Sequence, residues 1–492
     1  MHSYEELTSA ERELWDAYPA GHLVDLGTDG SEDAPENGEH WGTDRTIRAT
    51  VVTALLRGAN PGQPGTAPAL RLRCARISGT LDLSGAEIGH GLWIEECWFE
   101  RGVNLYGAAT RTIGLKGSRI PGVDLTMARV EGRIELRGAV LRGRLALMNA
   151  RVAGELVLTD ATLFNPDDWA LFGGGLVVEG GVFCRRTIVH GGIRLLGTHI
   201  AGGLHMERAH IHNPDAVALR ADNATVSTLA LSEGFAAQGA IILRGVQIAD
   251  QLTFDGAVLN GSGTRLDCTR MRTGAFVFTP AEPPSGPVDL QGAHATSVYD
   301  RAGAWPDIVR LQGFTYGSLH PENALRTNSA AYRVQWISRE PGYAAQPYEQ
   351  LATWYRQIGH DDDARRVLLA KQRHRRRTLS WPTRMWGHLL DATVGYGYRP
   401  WLAGLWLVAL ALIGTVVFSA HSPKPTQPGQ VPPFNAFVYT LDLLIPIGGL
   451  GQRSAWYWTG GVTAWLAYAL IAAGWLLTTA VLAGISRTLS KN

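Results

Sequence analysis

The sequence is poor in cysteine, and its few cysteines lie far apart. Its 492 residues contain four, Cys74, Cys97, Cys184 and Cys268. No two of them have the short spacing of a zinc site, an iron–sulfur site or a redox dithiol. We therefore expect no such site, and we interpret the four thiols as reduced residues of the core or its corners in a reducing compartment.

The sequence also lacks an excess of either charge. Lys and Arg number 45, Asp and Glu number 44, and the stretch from 70 to 310 holds 24 of each sign. A nucleic-acid-binding face needs a basic surplus, and a mimic of DNA needs an acidic one, so neither role is expected and nucleic acid is not an expected partner. The sequence as far as Gly30 contains no long apolar run, and we expect no secretory signal there.

Glycine and a short apolar period are what the sequence has in abundance. From Leu70 onward an apolar residue recurs every five or six positions, and there are 58 glycines in all. This spacing is too short for a helix heptad and too regular for a β-sandwich. In a short strand such as Leu81-Asp82-Leu83 the outer two side chains point inward and the middle one outward. The pattern predicts a solenoid with four short strands in each turn of about 20 to 22 residues.

This ladder resembles the pentapeptide-repeat family, in which an Ala stands two positions before a Leu or Phe. The resemblance implies a mainly β fold, a right-handed quadrilateral β-helix solenoid. Many steps here are six residues long, so we expect a wider and less regular coil than in that family. The alanines that match the small position are Ala75, Ala86, Ala128, Ala139, Ala150 and Ala161.

A second and longer period, of about 48 residues, begins at Leu163 and indicates an internal duplication. The segment Leu163-Phe-Asn-Pro-Asp-Asp-Trp-Ala-Leu returns as Ile211-His-Asn-Pro-Asp-Ala-Val-Ala-Leu, and a decayed third copy starts at Leu259. Asn-Pro favours a turn, so this duplication predicts two loops on one side of the solenoid. The repeat resembles that of a large actinobacterial family of membrane-associated proteins often labelled oxidoreductases. The loop residues that we expect to contact a partner are Asp167, Asp168, Trp169 and Asp215.

We divide the chain into four predicted segments. Residues 1–69 are helical in part and are expected to cap the solenoid, which occupies 70–320. Residues 321–380 have a helical period, and one stretch resembles a single tetratricopeptide helix pair. Such repeats need about three units for stability, so we interpret this segment as a cap and membrane adaptor. Residues 381–492 form the predicted membrane domain.

Two stretches of the last segment are long enough to cross a bilayer. Residues 401–420 and 461–485 carry no charged side chain, and tryptophan lies near the start of each. Basic residues precede the first span and follow the second, whereas the connecting segment has only Lys424 and Arg453. The positive-inside rule then predicts a multi-pass plasma-membrane protein with both termini in the cytoplasm. The basic residues expected to contact anionic lipid are Lys371, Arg373, Arg375, Arg376 and Arg377.

Between the spans lies an apolar segment, 434–450, that is too short to cross. It suits a re-entrant segment of a tetrameric pore-loop channel, in which Asp442 would attract ions. It also suits an amphipathic helix that lies on the outer surface with Asp442 among the headgroups, which is the interpretation we prefer. The sequence Thr-Val-Gly-Tyr-Gly at 393–397 matches a potassium-channel filter in letters, but it precedes the first span, and we interpret it as a hinge.

No signature of an enzyme accompanies these features. The Gly-x-Gly openings lack the third glycine of a dinucleotide site, and no haem-attachment motif occurs. His190 and His212 are one turn apart and are expected to stack on an outer face, without enough neighbours for a metal site. We therefore expect no cofactor, no metal and no catalytic residue. The oxidoreductase implied by the second resemblance remains an alternative, and visible absorbance of the purified protein would test it.

Three functions are consistent with this sequence. The first is a bacterial, non-enzymatic scaffold that holds a cytoplasmic β-helix at the membrane for a protein partner or for self-assembly into a homo-oligomer. The second is an ion channel gated by the solenoid. The third is the membrane-associated oxidoreductase.

Overall fold

A computed structural model describes residues 4–28, 30, 33–62, 65–261, 263–321, 329–397, 401–427, 429, 431–446 and 449–489. Within these ranges the side chains at 167, 382, 386, 389, 390, 394, 397 and 480–489 lie outside the description. The chain forms two compact units, Met1–Gln350 and Leu351–Asn492. The bounds of the four predicted segments therefore stay a prediction.

The first unit is a parallel β-solenoid of about 11 turns. Its strands, in chain order, are β1 (Val24–Asp25), β2 (Thr46–Arg48), β3 (Leu70–Arg73), β4 (Arg76–Ser78), β5 (Leu81–Asp82), β6 (Glu87–Ile88), β7 (Leu92–Glu95), β8 (Trp98–Phe99), β9 (Val103–Asn104), β10 (Ala109–Thr110), β11 (Ile113–Gly114), β12 (Arg119–Ile120), β13 (Val123–Asp124), β14 (Arg129–Val130), β15 (Ile134–Glu135), β16 (Val140–Leu141), β17 (Leu145–Ala146), β18 (Arg151–Val152), β19 (Leu156–Val157), β20 (Thr162–Phe172), β21 (Val177–Val178), β22 (Val182–Phe183), β23 (Ile188–Arg194), β24 (His199–Ile200), β25 (Leu204–His205), β26 (His210–Arg220), β27 (Thr225–Ala230), β28 (Ala236–Ile242), β29 (Gln247–Thr253), β30 (Leu266–Asp267), β31 (Arg272–Phe278), β32 (Val288–Asp289), β33 (His294–Asp300), β34 (Val309–Arg310) and β35 (Thr315–Pro321).

Four strands make one turn, and each pairs in parallel with its counterpart in the next turn. In the first complete turn β3, β4, β5 and β6 pair with β7, β8, β9 and β10. Leu70 lies opposite Leu92, and Ile113 lies opposite Ile134, so these turns have the length that the apolar period predicts. The mainly β solenoid predicted from the five- and six-residue steps is thus confirmed.

The inward positions are filled as the apolar period predicts. Leu81 and Leu83 are fully buried, whereas Asp82 between them is exposed. All six alanines at the small position are buried as well. Each buried Leu or Ile contributes about 1.5–3 kcal/mol through its removal from water, so a long ladder of such residues stabilises the coil.

Two turns are lengthened by the Asn-Pro insertions that the duplication predicts. Leu156 lies opposite Val182, a wider offset than in the preceding turns, because β20 carries the first Asn-Pro insertion. Leu204 lies opposite Leu229, and here β26 carries the second insertion. The turn between these two, in which Val182 lies opposite Leu204, returns to the ordinary length.

The N-terminal residues extend the solenoid by pairing with its first turn. β1 pairs with β3, and β2 pairs with β4. Glu11 is fully buried here, and its carboxylate accepts hydrogen bonds from the backbone amide of Arg48 (3.0 Å), from that residue's guanidinium (2.6 and 2.7 Å) and from the amide of Thr8 (3.0 Å).

A buried ion pair lies at the other end of the solenoid. The guanidinium of Arg333 donates to both carboxylate oxygens of Asp300, at 2.7 and 2.9 Å, and neither side chain is exposed to solvent. The indole of Trp305 donates to the same carboxylate at 2.8 Å. This pair attaches the helix that follows the last strand to the solenoid.

The helices outside the β ladder lie at both ends of the chain. They are α1 (Ser9–Ala17), α2 (Ala49–Leu56), α3 (Ala330–Ile337), α4 (Gln346–Gln357), α5 (Asp361–Arg377), α6 (Trp381–Val394), α7 (Trp401–Ser419), α8 (Ala436–Leu444), α9 (Gln452–Ala455) and α10 (Val462–Leu489), with short 3₁₀ turns at Tyr4–Glu6, Tyr18–Ala20, Pro35–His40, Thr43–Arg45 and Gly395–Gly397. The second unit also contains a two-stranded antiparallel sheet, formed by β36 (Lys424–Pro425) and β37 (Trp456–Tyr457). By length and composition α7 and α10 could each cross a membrane, in agreement with the two predicted spans.

Candidate functional site: the duplicated loops and the apolar hairpin

The two Asn-Pro loops are insertions in the same wall of the solenoid. Phe164 lies opposite His190 and Trp169 lies opposite Gly192, so Gly191 alone faces the four residues 165–168. In the second copy Gly239 alone faces residues 213–216, between the register pairs of β26 and β28. Two turns separate the loops, which places them roughly 10 Å apart along the solenoid axis at about 4.8 Å per turn.

Each loop is closed by its own asparagine. The side-chain amide of Asn165 donates to the carbonyl oxygen of Trp169 at 3.0 Å. The side-chain amide of Asn213 donates to the carbonyl oxygen of Val217 at 2.8 Å. Since both copies use the same bond across the loop, the duplication preserves a loop conformation as well as a sequence.

A glycine on the following turn makes room for each loop. Gly191 has a φ of +113°, and a Cβ there would lie 2.2 Å from the carbonyl oxygen of Asn165. Gly239 has a φ of +118°, and its Cβ would lie 2.4 Å from the carbonyl oxygen of Asn213. Sequence reasoning missed these two glycines, although they are offset in the chain by the same interval as the two loops and the duplication could have revealed them.

The predicted contact residues do not converge on one point. Asp168 is exposed, accepts a hydrogen bond from the amide of Trp169 (2.7 Å) and pairs with Arg144, and these interactions hold the pKa of its carboxyl below the ordinary value. Trp169 is half-buried, with the guanidinium of Arg194 5.7 Å from its ring centre. Asp215 is exposed in the second loop with a left-handed φ of +59°. The side chain of Asp167 lies outside the described residues.

A column of aromatic rings runs beside the loops. Phe164 is 46% exposed, its ring lies 5.2 Å from that of His190, and His190 lies 5.8 Å from His212. The two histidines are therefore neighbours on the same wall, as their spacing predicts, but their rings meet edge to face rather than stacked. In the described part of the chain, no three His, Cys, Asp or Glu side chains are grouped so as to hold a metal ion.

The four cysteines are all buried. Burial raises the pKa of the Cys74 thiol to about 11 and that of Cys184 to about 12. The thiolate is the reactive form of cysteine, so these thiols are poor nucleophiles at neutral pH in the folded protein.

In the second unit, Asp442 binds backbone rather than another side chain. It is buried near the end of α8, where one carboxylate oxygen accepts the amide of Leu450 (2.8 Å) and the other accepts the amide of Arg453 (2.7 Å). These two bonds attach the segment after α8 to the helix. The geometry gives Asp442 a positioning role that its sequence context did not indicate.

Helix α8 packs against both α7 and α10, which also contact each other. A Cβ on Gly414 of α7 would lie 2.4 Å from the side chain of Thr440, and one on Gly474 of α10 would lie 2.3 Å from the carbonyl oxygen of Leu444. Gly474 lies about 18 Å from the start of α10, at roughly 1.5 Å per residue. The end of α8 therefore lies well inside the apolar hairpin, which is formed by α7 and α10.

The basic run divides into paired and exposed residues. Arg373 and Arg376 of α5 both bind Asp391 of α6, at 3.0 and 3.2 Å. Arg375 and Arg377 are exposed, and no ion pair involves them among the described residues. The fifth residue of the run, Lys371, is half-buried. Sequence reasoning could not find Asp391, because the polybasic run offered no sign of its partner.

The filter-like letters at 393–397 end helix α6. They continue into the 3₁₀ turn Gly395–Gly397, where Tyr396 has a left-handed φ of +53°. This turn leads towards α7 and is consistent with the predicted hinge. Residues 398–400 lie outside the described part of the chain.

Comparisons with protein-family models, with curated proteins and with solved structures find no match. Both family resemblances therefore rest on the residues quoted for them above. The functional argument rests on the loops and the hairpin themselves.

Proposed function

We propose that this protein is a membrane-anchored scaffold whose β-solenoid presents the two Asn-Pro loops to a protein partner or to a second copy of the chain. The observation that carries the proposal is the repeated loop geometry: two insertions in one wall, each closed by an asparagine and each seated on a glycine of the next turn. A solenoid turn does not need such an insertion, since β23 and β28 cross the same corner with one glycine. Loops held on a rigid framework commonly carry binding function.

The apolar helix pair supplies the anchor in this proposal. In this proposal α7 and α10 are the spans, and both termini lie in the cytoplasm of a bacterial cell, at the plasma membrane; the distribution of basic residues supports this orientation. The four-stranded turn and the buried alanines support a coil of the pentapeptide-repeat type. Its regular walls would serve as a rigid support for the loops.

Loop-free variants test the scaffold function directly. Replacing residues 165–168 by one glycine, and residues 213–216 by one glycine, copies the corner that β23 and β28 already use. We expect the double replacement to leave the thermal midpoint of the full chain within a few degrees, and to abolish cross-linking to its partner in native membranes. A suitable control is Arg129→Gln, an exposed side chain elsewhere on the solenoid. An unchanged cross-linked product after removal of both loops would reject the proposal.

A pore-loop channel is the second candidate, and the position of α8 favours it. A nine-residue helix is about 14 Å long and cannot cross roughly 30 Å of hydrocarbon, yet α8 packs against both candidate spans. Such packing suits a re-entrant segment better than a helix on the outer surface. In a channel of this kind Asp442 would hold the returning segment through its two backbone bonds.

Asp442→Asn separates the two candidates. Asparagine keeps one oxygen acceptor but presents an NH₂ group to the second backbone amide, so the returning segment should loosen. A channel would form tetramers in detergent and conduct ions in liposomes, with a conductance altered by this change. A monomer without ion flux would eliminate the channel and leave the scaffold.

A further inference from the structure

Four arginines surround a cavity on one wall of the solenoid. Arg244, Arg265, Arg270 and Arg310 come from three of four consecutive turns and line a volume of about 360 Å³. Such a volume lies within the range of small-molecule sites, about 300–1,000 Å³. Neither the Asn-Pro loops nor the apolar hairpin contributes to its lining.

Two carboxylates hold two of these arginines in place. Asp267 accepts hydrogen bonds from Arg244 at 2.7 Å, and Asp289 accepts one from Arg310 at 3.2 Å. Burial alone would raise the pKa of Asp267, but the bonds from Arg244 and from Thr269 outweigh it, so the pKa lies below its ordinary value. Asp267 therefore stays ionised at neutral pH, and Arg244 is fixed in position.

The other two arginines carry charge that is not neutralised. Arg265 and Arg270 are exposed, and no carboxylate lies within ion-pair distance of either in the described part of the chain. Two further carboxylates lie near the paired arginines but bind other groups. Asp222 is close enough to Arg244 to interact with its charge, but it pairs with Arg220 at 2.8 Å. Glu340 interacts with the charge of Arg310, but it accepts a hydrogen bond from the amide of Leu311. The residues that line the cavity thus hold four positive and two negative charges.

The backbone of Arg270 is left-handed, as it also is at Arg186 and Arg208 on other corners of the solenoid. It has a left-handed φ of +57° at a corner where Gly245, Gly292 and Gly313 stand on other turns of the same column. A residue with a Cβ costs about 1–2 kcal/mol in this conformation, whereas glycine adopts it readily. Arginine therefore occupies a corner that would be more stable with glycine.

We propose that this cavity is a binding site for a phosphate-bearing small anion. The planar guanidinium group matches phosphate oxygens through paired N–H donors and stays charged at all physiological pH values. Arg244 and Arg310 are oriented by their carboxylates, and Arg265 and Arg270 supply the excess positive charge. The ligand could be a soluble phosphate compound or the headgroup of a phospholipid, which share this chemistry.

Titration of the full chain in a non-ionic detergent with inorganic pyrophosphate at about 150 mM salt tests the site. We expect saturable binding to the wild type and at least tenfold weaker binding to Arg265→Gln/Arg270→Gln. The matched control is Arg129→Gln/Arg151→Gln, which removes two exposed arginines that lie opposite each other on another wall. Absence of saturable binding to the wild type, or an equal loss in the control, would overturn the proposal.

Arg270→Gly tests whether pyrophosphate binding is lost because the arginine is removed rather than because the protein misfolds. This change gives the corner the residue of its neighbours, so the thermal midpoint should stay the same or rise while pyrophosphate binding weakens. Retention of full affinity in this variant would contradict the site.

Vesicles distinguish the two sources of phosphate. A lipid ligand predicts that phosphatidylglycerol vesicles bind the wild type more strongly than Arg265→Gln/Arg270→Gln, and that pyrophosphate competes for this difference. A soluble ligand predicts equal vesicle binding by the two proteins, with pyrophosphate binding still lost in the variant.

Discussion

Asp300 and Arg333 form the buried ion pair that joins the C-terminal end of the solenoid to the helix that follows it. Both side chains are completely buried, and the two guanidinium bonds to the carboxylate are 2.7 and 2.9 Å long. Loss of one partner leaves a buried charge uncompensated, which costs about 3–5 kcal/mol. We predict that Asp300→Ala lowers the free energy of unfolding by this amount. The midpoint of thermal unfolding of the full chain should fall accordingly.

A surface pair provides the control for this prediction. Arg111 and Glu131 are 68% and 77% exposed, and such pairs contribute about 0–1 kcal/mol. Glu131→Ala should therefore change the midpoint little. Equal unfolding temperatures for Asp300→Ala and Glu131→Ala would contradict the predicted cost of losing the buried pair.

Glu11 gives the N-terminal end of the solenoid a dependence on pH. Burial raises the pKa of its carboxyl, but the hydrogen bonds from Arg48 and from the amide of Thr8 outweigh burial, so the folded pKa lies below the ordinary value. The stability that the carboxylate provides is complete above the unfolded pKa of about 4.3 and is lost as the pH falls through the folded pKa. Thermal midpoints between pH 7 and pH 3 should fall less steeply for Glu11→Gln than for the wild type. Parallel curves would show that Glu11 makes no such contribution.

At the scale of elements, the loop glycines provide a test of the duplicated corner. Gly191→Ala should cost more than the roughly 1–2 kcal/mol expected of a left-handed residue, because the new Cβ would collide with the backbone of Asn165. Gly197→Ala is the matched control, since its φ is +58° and a Cβ there would meet no atom within 4 Å. We expect a lower thermal midpoint for Gly191→Ala than for Gly197→Ala. Equal midpoints would mean that the loop can move away.

At the basic end of α5, we expect only the exposed residues to strengthen binding to anionic lipid. Arg375→Gln/Arg377→Gln removes two exposed charges, each of which contributes about 1 kcal/mol near an anionic surface, so binding to phosphatidylglycerol vesicles should weaken about thirtyfold. Arg373→Gln/Arg376→Gln breaks the bonds to Asp391 and should lower thermal stability with a smaller effect on vesicle binding. A reversed order would show that the paired residues are the lipid contacts.

How much could be predicted from the sequence differs between local and distant features. The turns, the loops and the proximity of His190 to His212 follow from residues at a fixed period, so they were predictable. The partners Asp300 and Arg333 are far apart in the chain with no period between them, and Asp442 meets the amides of Leu450 and Arg453 across an irregular segment. The arginine cavity lies between these cases, because its residues are roughly one turn apart but the insertions make the turns unequal.

At the scale of the whole molecule, the account joins a rigid solenoid and an apolar helix pair in one chain. The first turn of the solenoid is covered at its start by β1 and β2, which pair with its strands. In the proposed scaffold, contact through the loops, with a partner or with a second copy, is the route to assembly. In the proposed scaffold, the helix pair would restrict that assembly to the membrane.

The mass of the assembly in native-lipid nanodiscs, compared between the wild type and the loop-free double variant, tests the scaffold claim most directly. The account predicts a complex for the wild type, with a protein partner or a second copy, that becomes a monomer when residues 165–168 and 213–216 are each replaced by one glycine. A mass that is the same with and without the loops would contradict it, and a tetramer that conducts ions would favour the channel.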